Sequence, residues 1–166
     1  LLGQVGATLT DDELLERYAV HESAIEAATY QPYRGVLAAS LRALASELGV
    51  ALSAGAESAF AASVARWPAF PDSAEALRQL AERFRVGVIT NCDDDLFAEA
   101  APRLGTRFDW VVTAQQVGSY KPSEANFHAM LERETFPRER FLHVAQSLFH
   151  DHAPAKRLGL TTVWID

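Results

Sequence analysis

The sequence predicts an α/β protein in which a helical module over residues 1–70 precedes a doubly wound core over residues 71–166. Two changes of pattern support this division. Before Pro71 the apolar residues recur at helical spacing, whereas after it short, nearly all-apolar runs alternate with helical segments. Such runs are typical of a parallel sheet that helices cover on both faces. Ligands bind such sheets beyond the carboxyl ends of the strands, so functional residues are sought there.

Three helices are predicted in the first half. Thr10 caps the first one, because acidic residues follow it in what would be the first helical turn. The second runs from about Tyr33 to Leu48 and carries one apolar face. Ser53 is predicted to cap a third, alanine-rich helix that ends near Trp67.

Four strands are predicted in the second half, and helices separate them. The strands cover residues 86–90, 108–112, 141–145 and 161–165, and the helices lie after residue 72 and over about 94–104, 124–134 and 153–158. We expect the loops that follow the strands to meet at one edge of one parallel sheet.

Composition limits the function classes. Of the 166 residues, 49% are hydrophobic and 22% charged, which is typical of a globular protein. No apolar run reaches the ~20 residues that cross a bilayer, so no membrane partner is expected. The net charge of −7 argues against nucleic acid. A single cysteine, Cys92, fits a reducing cytoplasm, and a homodimer is left open.

Two polar motifs follow predicted strands. Thr90 and Asn91 stand at a strand tip, where a hydroxyl and an amide can hold an anionic oxygen, although both residues are also ordinary turn formers. Lys121 precedes Pro122, which restricts the lysine backbone. A rigidly presented ammonium would neutralise a carboxylate or phosphate, whereas most lysines are simply solvated.

The third motif follows the strand that ends at Ala145. Gln146 and Ser147 begin a polar loop that leads to Asp151. Asp151 either caps the next helix, orients Lys121, or helps to position a metal or a water. The three motifs together are much more specific than any of them alone.

In this order, the motifs resemble those of the haloacid dehalogenase (HAD) superfamily, in its type II haloacid dehalogenase-like branch. That superfamily carries a strand-end Ser/Thr-Asn, a Lys-Pro loop and an acidic loop of the form Gly-Asp-Ser-x-x-x-Asp. Here they correspond to Thr90-Asn91, Lys121-Pro122 and the segment from Ala145 to Asp151. The resemblance implies a Rossmann-like core, a helical cap formed by residues 1–70, and a hydrolase for a small anionic substrate.

The resemblance also implies roles for the motif residues. Lys121 would neutralise the nucleophile and the substrate, and Asp151 would orient Lys121 or the hydrolytic water. The implied substrate-binding residues are Thr90, Asn91, Gln146 and Ser147.

One motif of the superfamily is missing. Its members begin with a strand that carries the nucleophilic aspartate, in the form Asp-x-Asp-x-Thr or Asp-x-x-Gly-Thr, and this sequence has no such strand. The aspartates at 11–12 and 93–95 are better explained as helix starts. The missing strand would lie in the middle of the sheet, between the strands that end at Thr90 and Ala145. The resemblance therefore implies either a longer protein with roughly 20 more residues upstream or a chain that is held together in another way.

The type of chemistry stays open between three alternatives. Gln146 stands where phosphatase members carry a magnesium-binding aspartate, so metal-independent, dehalogenase-like hydrolysis without a cofactor is favoured. Leu148 and Phe127, however, occupy positions where the better-known dehalogenases carry Asn and Tyr. A magnesium-dependent phosphatase for a small metabolite and a catalytically inactive fragment are the two alternatives.

Other polar residues have structural explanations that are preferred. His143, His150 and His152 are poorly spaced for a zinc site, so a structural or supporting role is favoured. Cys92 lies near a helix start, which could lower its pKa, but no partner makes it a nucleophile. Arg34 either faces a cleft or is an ordinary surface residue.

Overall fold

The structure, a computed structural model, describes residues 9–165, in which a helical half packs on an α/β half. The helices are α1 Asp11–Glu26, α2 Tyr33–Glu47, α3 Ala56–Ser63, α4 Ser73–Ala81, α5 Asp94–Ala100, α6 Ala114–Val117, α7 Ala125–Arg133 and α8 Ala153–Arg157. The strands are β1 Gly87–Thr90, β2 Trp110–Thr113, β3 Leu142–Ala145 and β4 Thr161–Trp164. A π-helical turn, Leu148–His152, precedes α8. Residues 1–8, at the start of the predicted helical module, and residue 166, at the end of the predicted core, lie outside the described residues.

The start of α1 confirms the predicted cap. The Thr10 hydroxyl accepts a hydrogen bond from the Glu13 backbone N–H at 3.2 Å, and the Glu13 carboxylate accepts one from the Thr10 N–H at 2.8 Å. The cap predicted for α3 is wrong. That helix begins after Gly55, whose φ of 81° suits glycine, and Ser53 contributes its backbone carbonyl to the preceding turn.

The four strands form two separate parallel pairs. Val88 of β1 is paired with Val111 of β2, and Val144 of β3 is paired with Val163 of β4. Over residues 9–165 no strand pairing joins β1 to β3, so the expected single sheet is corrected to two pairs. The physical reason is that a strand between them, as the HAD resemblance implies, is not part of the described chain.

One face of the second pair is exposed. Paired residues of a parallel ladder point to the same face, so Leu142 and Val144 share a face with Val163. Their exposed fractions are 56%, 46% and 42%. The alternate residues of β3 turn inward, where His143 meets the ring of Phe127 at 5.1 Å between centroids. This face of the β3–β4 pair is therefore apolar and open to solvent.

Apolar clusters join the two halves of the chain. Leu37 of α2 and Leu96 of α5 are fully buried in one cluster with Cys92. Val36 of α2 packs with Tyr120 of the α/β half. Burying such side chains contributes roughly 1.5–3 kcal/mol each. The helical half is therefore packed against the loops at the strand ends.

Asp93 adds a polar connection between the halves. Its carboxylate accepts hydrogen bonds from the backbone N–H groups of Tyr33 at 2.8 Å and Arg34 at 3.0 Å, at the start of α2. The predicted helix start at 93–95 is confirmed, since α5 begins at Asp94. However, Asp93 itself caps α2, which Pro32 leaves without a side-chain cap.

We expect Asp93→Ala to lower the free energy of unfolding by about 2 kcal/mol, because two partly buried N–H groups lose a charged acceptor. Urea denaturation measures this loss. Asp72→Ala is the matched control, because Asp72 flanks α4 without a side-chain cap bond and should change stability by less than about 0.5 kcal/mol. Equal losses in the two variants would contradict the capping role.

Candidate active site

The side chain of Lys121, from the loop after α6, reaches the carboxyl end of β1 and lies next to Asp151. Its ammonium donates hydrogen bonds to the Ile89 carbonyl at 3.1 Å and to Asp151 Oδ1 at 2.8 Å. The side chains of Lys121 and Asp151 are only 12% and 9% exposed. Two of the three predicted motifs therefore meet in space, although 30 residues separate them in sequence.

Asp151 is held from a second side by His143. The His143 Nε2 atom lies 3.0 Å from Asp151 Oδ1. Burial opposes ionisation of Asp151, but the hydrogen bond from His143 and the Lys121 charge outweigh it, so its pKa lies below the ordinary value. Asp151 sits inside the π-helical turn, so the interpretation as a helix cap is wrong.

Asn91 positions the lysine loop. Its side-chain amide donates to the Lys121 carbonyl at 3.0 Å, and its oxygen accepts from the Lys121 backbone N–H at 2.7 Å. Both amide atoms are thus engaged by the lysine backbone. Thr90 beside it is half-buried at the tip of β1. Substrate binding by Thr90 and Asn91 stays a prediction. Both polar atoms of the Asn91 amide already hydrogen-bond to the backbone of Lys121.

Ser147 and Gln146 are placed less favourably for binding a substrate. The Ser147 hydroxyl accepts a hydrogen bond from the His150 N–H at 3.1 Å and lies 3.1 Å from its Nδ1, so it caps the π-helical turn. Gln146 is exposed, and its backbone carbonyl accepts a bond from the Trp164 indole at 2.9 Å. Their predicted contacts with substrate remain untested.

A cavity of about 470 Å³ opens beside Lys121, between the end of α1 and the core loops. Its wall is formed by Ser23, Glu26, Ala27, Ala28 and Tyr30 on one side and by residues 118–123 with Phe149 and His150 on the other. This volume fits a small ligand.

Glu26 is a cavity residue that the sequence did not single out. Its carboxylate is 10% exposed, and Oε2 lies 3.5 Å from Asn91 Nδ2 and 4.0 Å from His150 Nε2. Burial, with the charge of Glu22, raises the pKa of Glu26 to about 7. No local signal could have found it, since it is one of several acids in a helical pattern.

The raised pKa of Glu26 predicts a pH-dependent stability. Between pH 4.5 and 7 the folded chain holds a proton that the unfolded chain has released, so this group lowers stability as the pH rises through that window. We expect Glu26→Gln to be more stable than the wild type at pH 8 by about 2 kcal/mol, and nearly equal at pH 4.5. Urea denaturation at both pH values tests this, and an equal difference at both would contradict it.

The remaining polar residues have ordinary contacts. His152 Nε2 lies 2.8 Å from the Ala145 carbonyl, and no group of three or more potential metal ligands occurs among residues 9–165. Burial raises the pKa of Cys92 to about 11, so the expected lowering is wrong. Arg34 forms an ion pair with Asp95 at 2.7 Å on the surface. This agrees with the interpretation of Arg34 as an ordinary surface residue.

A helical cap over the strand ends of a parallel α/β core, with a lysine–aspartate pair in the cleft, places the chain in the capped Rossmann-like fold class. A family model described as haloacid dehalogenase-like hydrolase matches residues 8–159. The chain therefore belongs to the haloacid dehalogenase-like hydrolase family, which confirms the resemblance. None of the helices between residues 9 and 165 is long and apolar enough to cross a bilayer.

Similar proteins agree with this family. Haloacid dehalogenase-like hydrolase domain-containing protein 3 of Xenopus laevis is 31% identical over 98 residues, which cover 57% of this chain and 39% of that protein. The L-2-haloacid dehalogenase of Xanthobacter autotrophicus has a TM-score of 0.81 at 18% identity, over 92% of this chain and 64% of that one.

A third similar structure is YfnB of Bacillus subtilis, described as a HAD hydrolase and bound to magnesium. It has a TM-score of 0.75 at 21% identity, over 95% of this chain and 74% of that one. At these identities the two structures show the fold alone, and they confirm a Rossmann-like core with a helical cap.

Proposed function

We propose that this chain forms the cap and most of the core of a hydrolase that acts on a small anionic substrate with dehalogenase-like chemistry. The observation that carries the proposal is the buried pair of Lys121 and Asp151 beside the cavity. A largely buried ammonium attracts an anionic group much more strongly than a solvated one. A cytoplasmic location and a homodimer are further, untested parts of the proposal.

In the proposed reaction an aspartate upstream of residue 1 attacks the carbon that carries the leaving group. An ester forms, halide leaves with the bonding electrons, and water then hydrolyses the ester. Lys121 neutralises the nucleophile and the anionic end of the substrate, and Thr90 and Asn91 assist at the strand tip. Asp151 orients Lys121, because it accepts a hydrogen bond from the ammonium at 2.8 Å.

Magnesium fits the described residues poorly. It prefers carboxylate oxygens, but Gln146 offers a neutral amide and Asp151 is already engaged by Lys121 and His143. This supports hydrolysis without a metal. Phe127 is fully buried against His143, so it offers the cleft no polar group of the kind that dehalogenases place there. A magnesium-dependent phosphatase therefore stays the alternative.

The test uses the full-length protein. Chloride release from 2-chloropropionate and phosphate release from p-nitrophenyl phosphate are measured with and without a chelator. We expect chloride release that the chelator leaves unchanged. Phosphate release abolished by the chelator would replace the proposal with the phosphatase, and no release of either ion would favour the inactive alternative.

A further inference from the structure

The cap side of the cavity carries a negative charge that is poorly compensated. Glu26 is nine-tenths buried, yet its nearest hydrogen-bond donor, Asn91 Nδ2, is 3.5 Å away and mainly serves the Lys121 carbonyl. Neighbouring Glu22 differs, because the hydroxyls of Tyr18 and Tyr33 donate to it at 3.1 and 3.0 Å. A buried carboxylate without good donors is costly unless a ligand supplies them.

A second cavity residue also lacks a partner. The Tyr30 hydroxyl is buried and makes no hydrogen bond within residues 9–165. Tyr30 and Glu26 both line the cavity, but the charges that act on the Tyr30 hydroxyl are those of Asp93 and Asp94. Glu26 is therefore the group on the cap side that a bound molecule would contact.

The arginines of α1 and α2 do not balance this wall. Arg17 pairs with Glu47, Arg34 with Asp95, and Arg42 with Glu57. His150 lies 4.0 Å from Glu26, but burial lowers its pKa, so it is largely neutral at neutral pH. Lys121, on the core side of the cavity, is paired with Asp151 at 2.8 Å, and its charge lowers the pKa of Glu26 by less than burial raises it. The cavity therefore has the Glu26 carboxylate on its cap side and the pair of Lys121 and Asp151 on its core side.

We propose that the substrate is zwitterionic: its anionic end meets Lys121, and an ammonium group at its other end binds Glu26. This names the substrate class for the proposed function and rests on it. An ammonium supplies the donors that Glu26 lacks. A second carboxylate at that position would be repelled by Glu26, so diacids should be excluded.

Three small acids that differ only at one end test the proposal. β-Alanine, butyrate and succinate share a carboxylate on two methylene groups and carry an ammonium, a methyl group or a second carboxylate at the other end. Each is titrated at pH 8 into the ¹⁵N-labelled full chain, and the backbone amide shifts of residues 118–121 and His150 are followed. We expect β-alanine to bind at least about tenfold more tightly than succinate, with butyrate between them.

Variants assign this preference to Glu26. Glu26→Gln should remove the difference between β-alanine and succinate, because it removes the carboxylate that attracts the ammonium group and repels the second carboxylate. Glu16→Gln, on the exposed surface of the same helix, is the matched control and should retain it.

The possible failures can be told apart. Equal binding of the three acids, or an unchanged preference in Glu26→Gln, would overturn the ammonium subsite and leave the Lys121 anion site intact. No binding of any acid would remove the anion site, and with it both proposals.

Discussion

Replacing Lys121 with alanine is expected to lower the turnover of the full-length protein by a factor of about 10²–10³. The ammonium is held by the Ile89 carbonyl and Asp151, with its backbone fixed by Asn91. It therefore needs little reorganisation when negative charge develops beside it. Alanine removes the charge and leaves Asp151 as an unbalanced anion in the same cleft.

The rate of halide release measures the loss, and intact-mass analysis after rapid quenching shows whether the aspartyl ester still forms. Lys156, the other lysine in the sequence, is exposed on α8 and provides the control, since Lys156→Ala should keep full activity. Undiminished turnover in Lys121→Ala would show that the buried pair is structural.

Asp151→Ala is expected to lower the free energy of unfolding by about 3 kcal/mol. The variant leaves the Lys121 ammonium buried without an anion and removes the partner of His143. Removing one member of a buried ion pair is costly mainly for this reason.

Urea denaturation of a double-mutant cycle measures the coupling. Lys121→Met in the Asp151→Ala background should recover part of the loss, because the unpaired charge is then gone. A loss below about 1 kcal/mol, or no recovery in the double variant, would mean that water compensates the charge.

Local signals predicted most of the elements. Residues within a few positions of each other form the capping box at Thr10 and the apolar face of α2. Both features could therefore be predicted from the local sequence. The rule that strand ends share one edge also predicted that Lys121 and Asp151 meet. Ser53 failed as a cap because a nearby glycine offered a better start for the helix.

Contacts between distant elements could not be predicted. Asp93 caps a helix whose first residue lies 60 positions earlier, and nothing near either segment signals that contact. The hydrogen bonds by which the Asn91 amide fixes the backbone of Lys121 were not predicted either. Glu26 enters the cavity only because α1 packs across the core loops. Each outcome depends on how whole elements are placed, which local patterns leave open.

The separation of the strands into two pairs has a consequence for how the chain folds. Paired residues within β1–β2, and within β3–β4, are only about 20 positions apart, so each pair closes a short loop at a modest entropic cost. Such local contacts give a low contact order and fast formation. The ion pair of Lys121 and Asp151 connects the two units at the active site. A buried apolar cluster that contains Val112 of β2 and Leu160, next to β4, connects them as well, so two local units share one core.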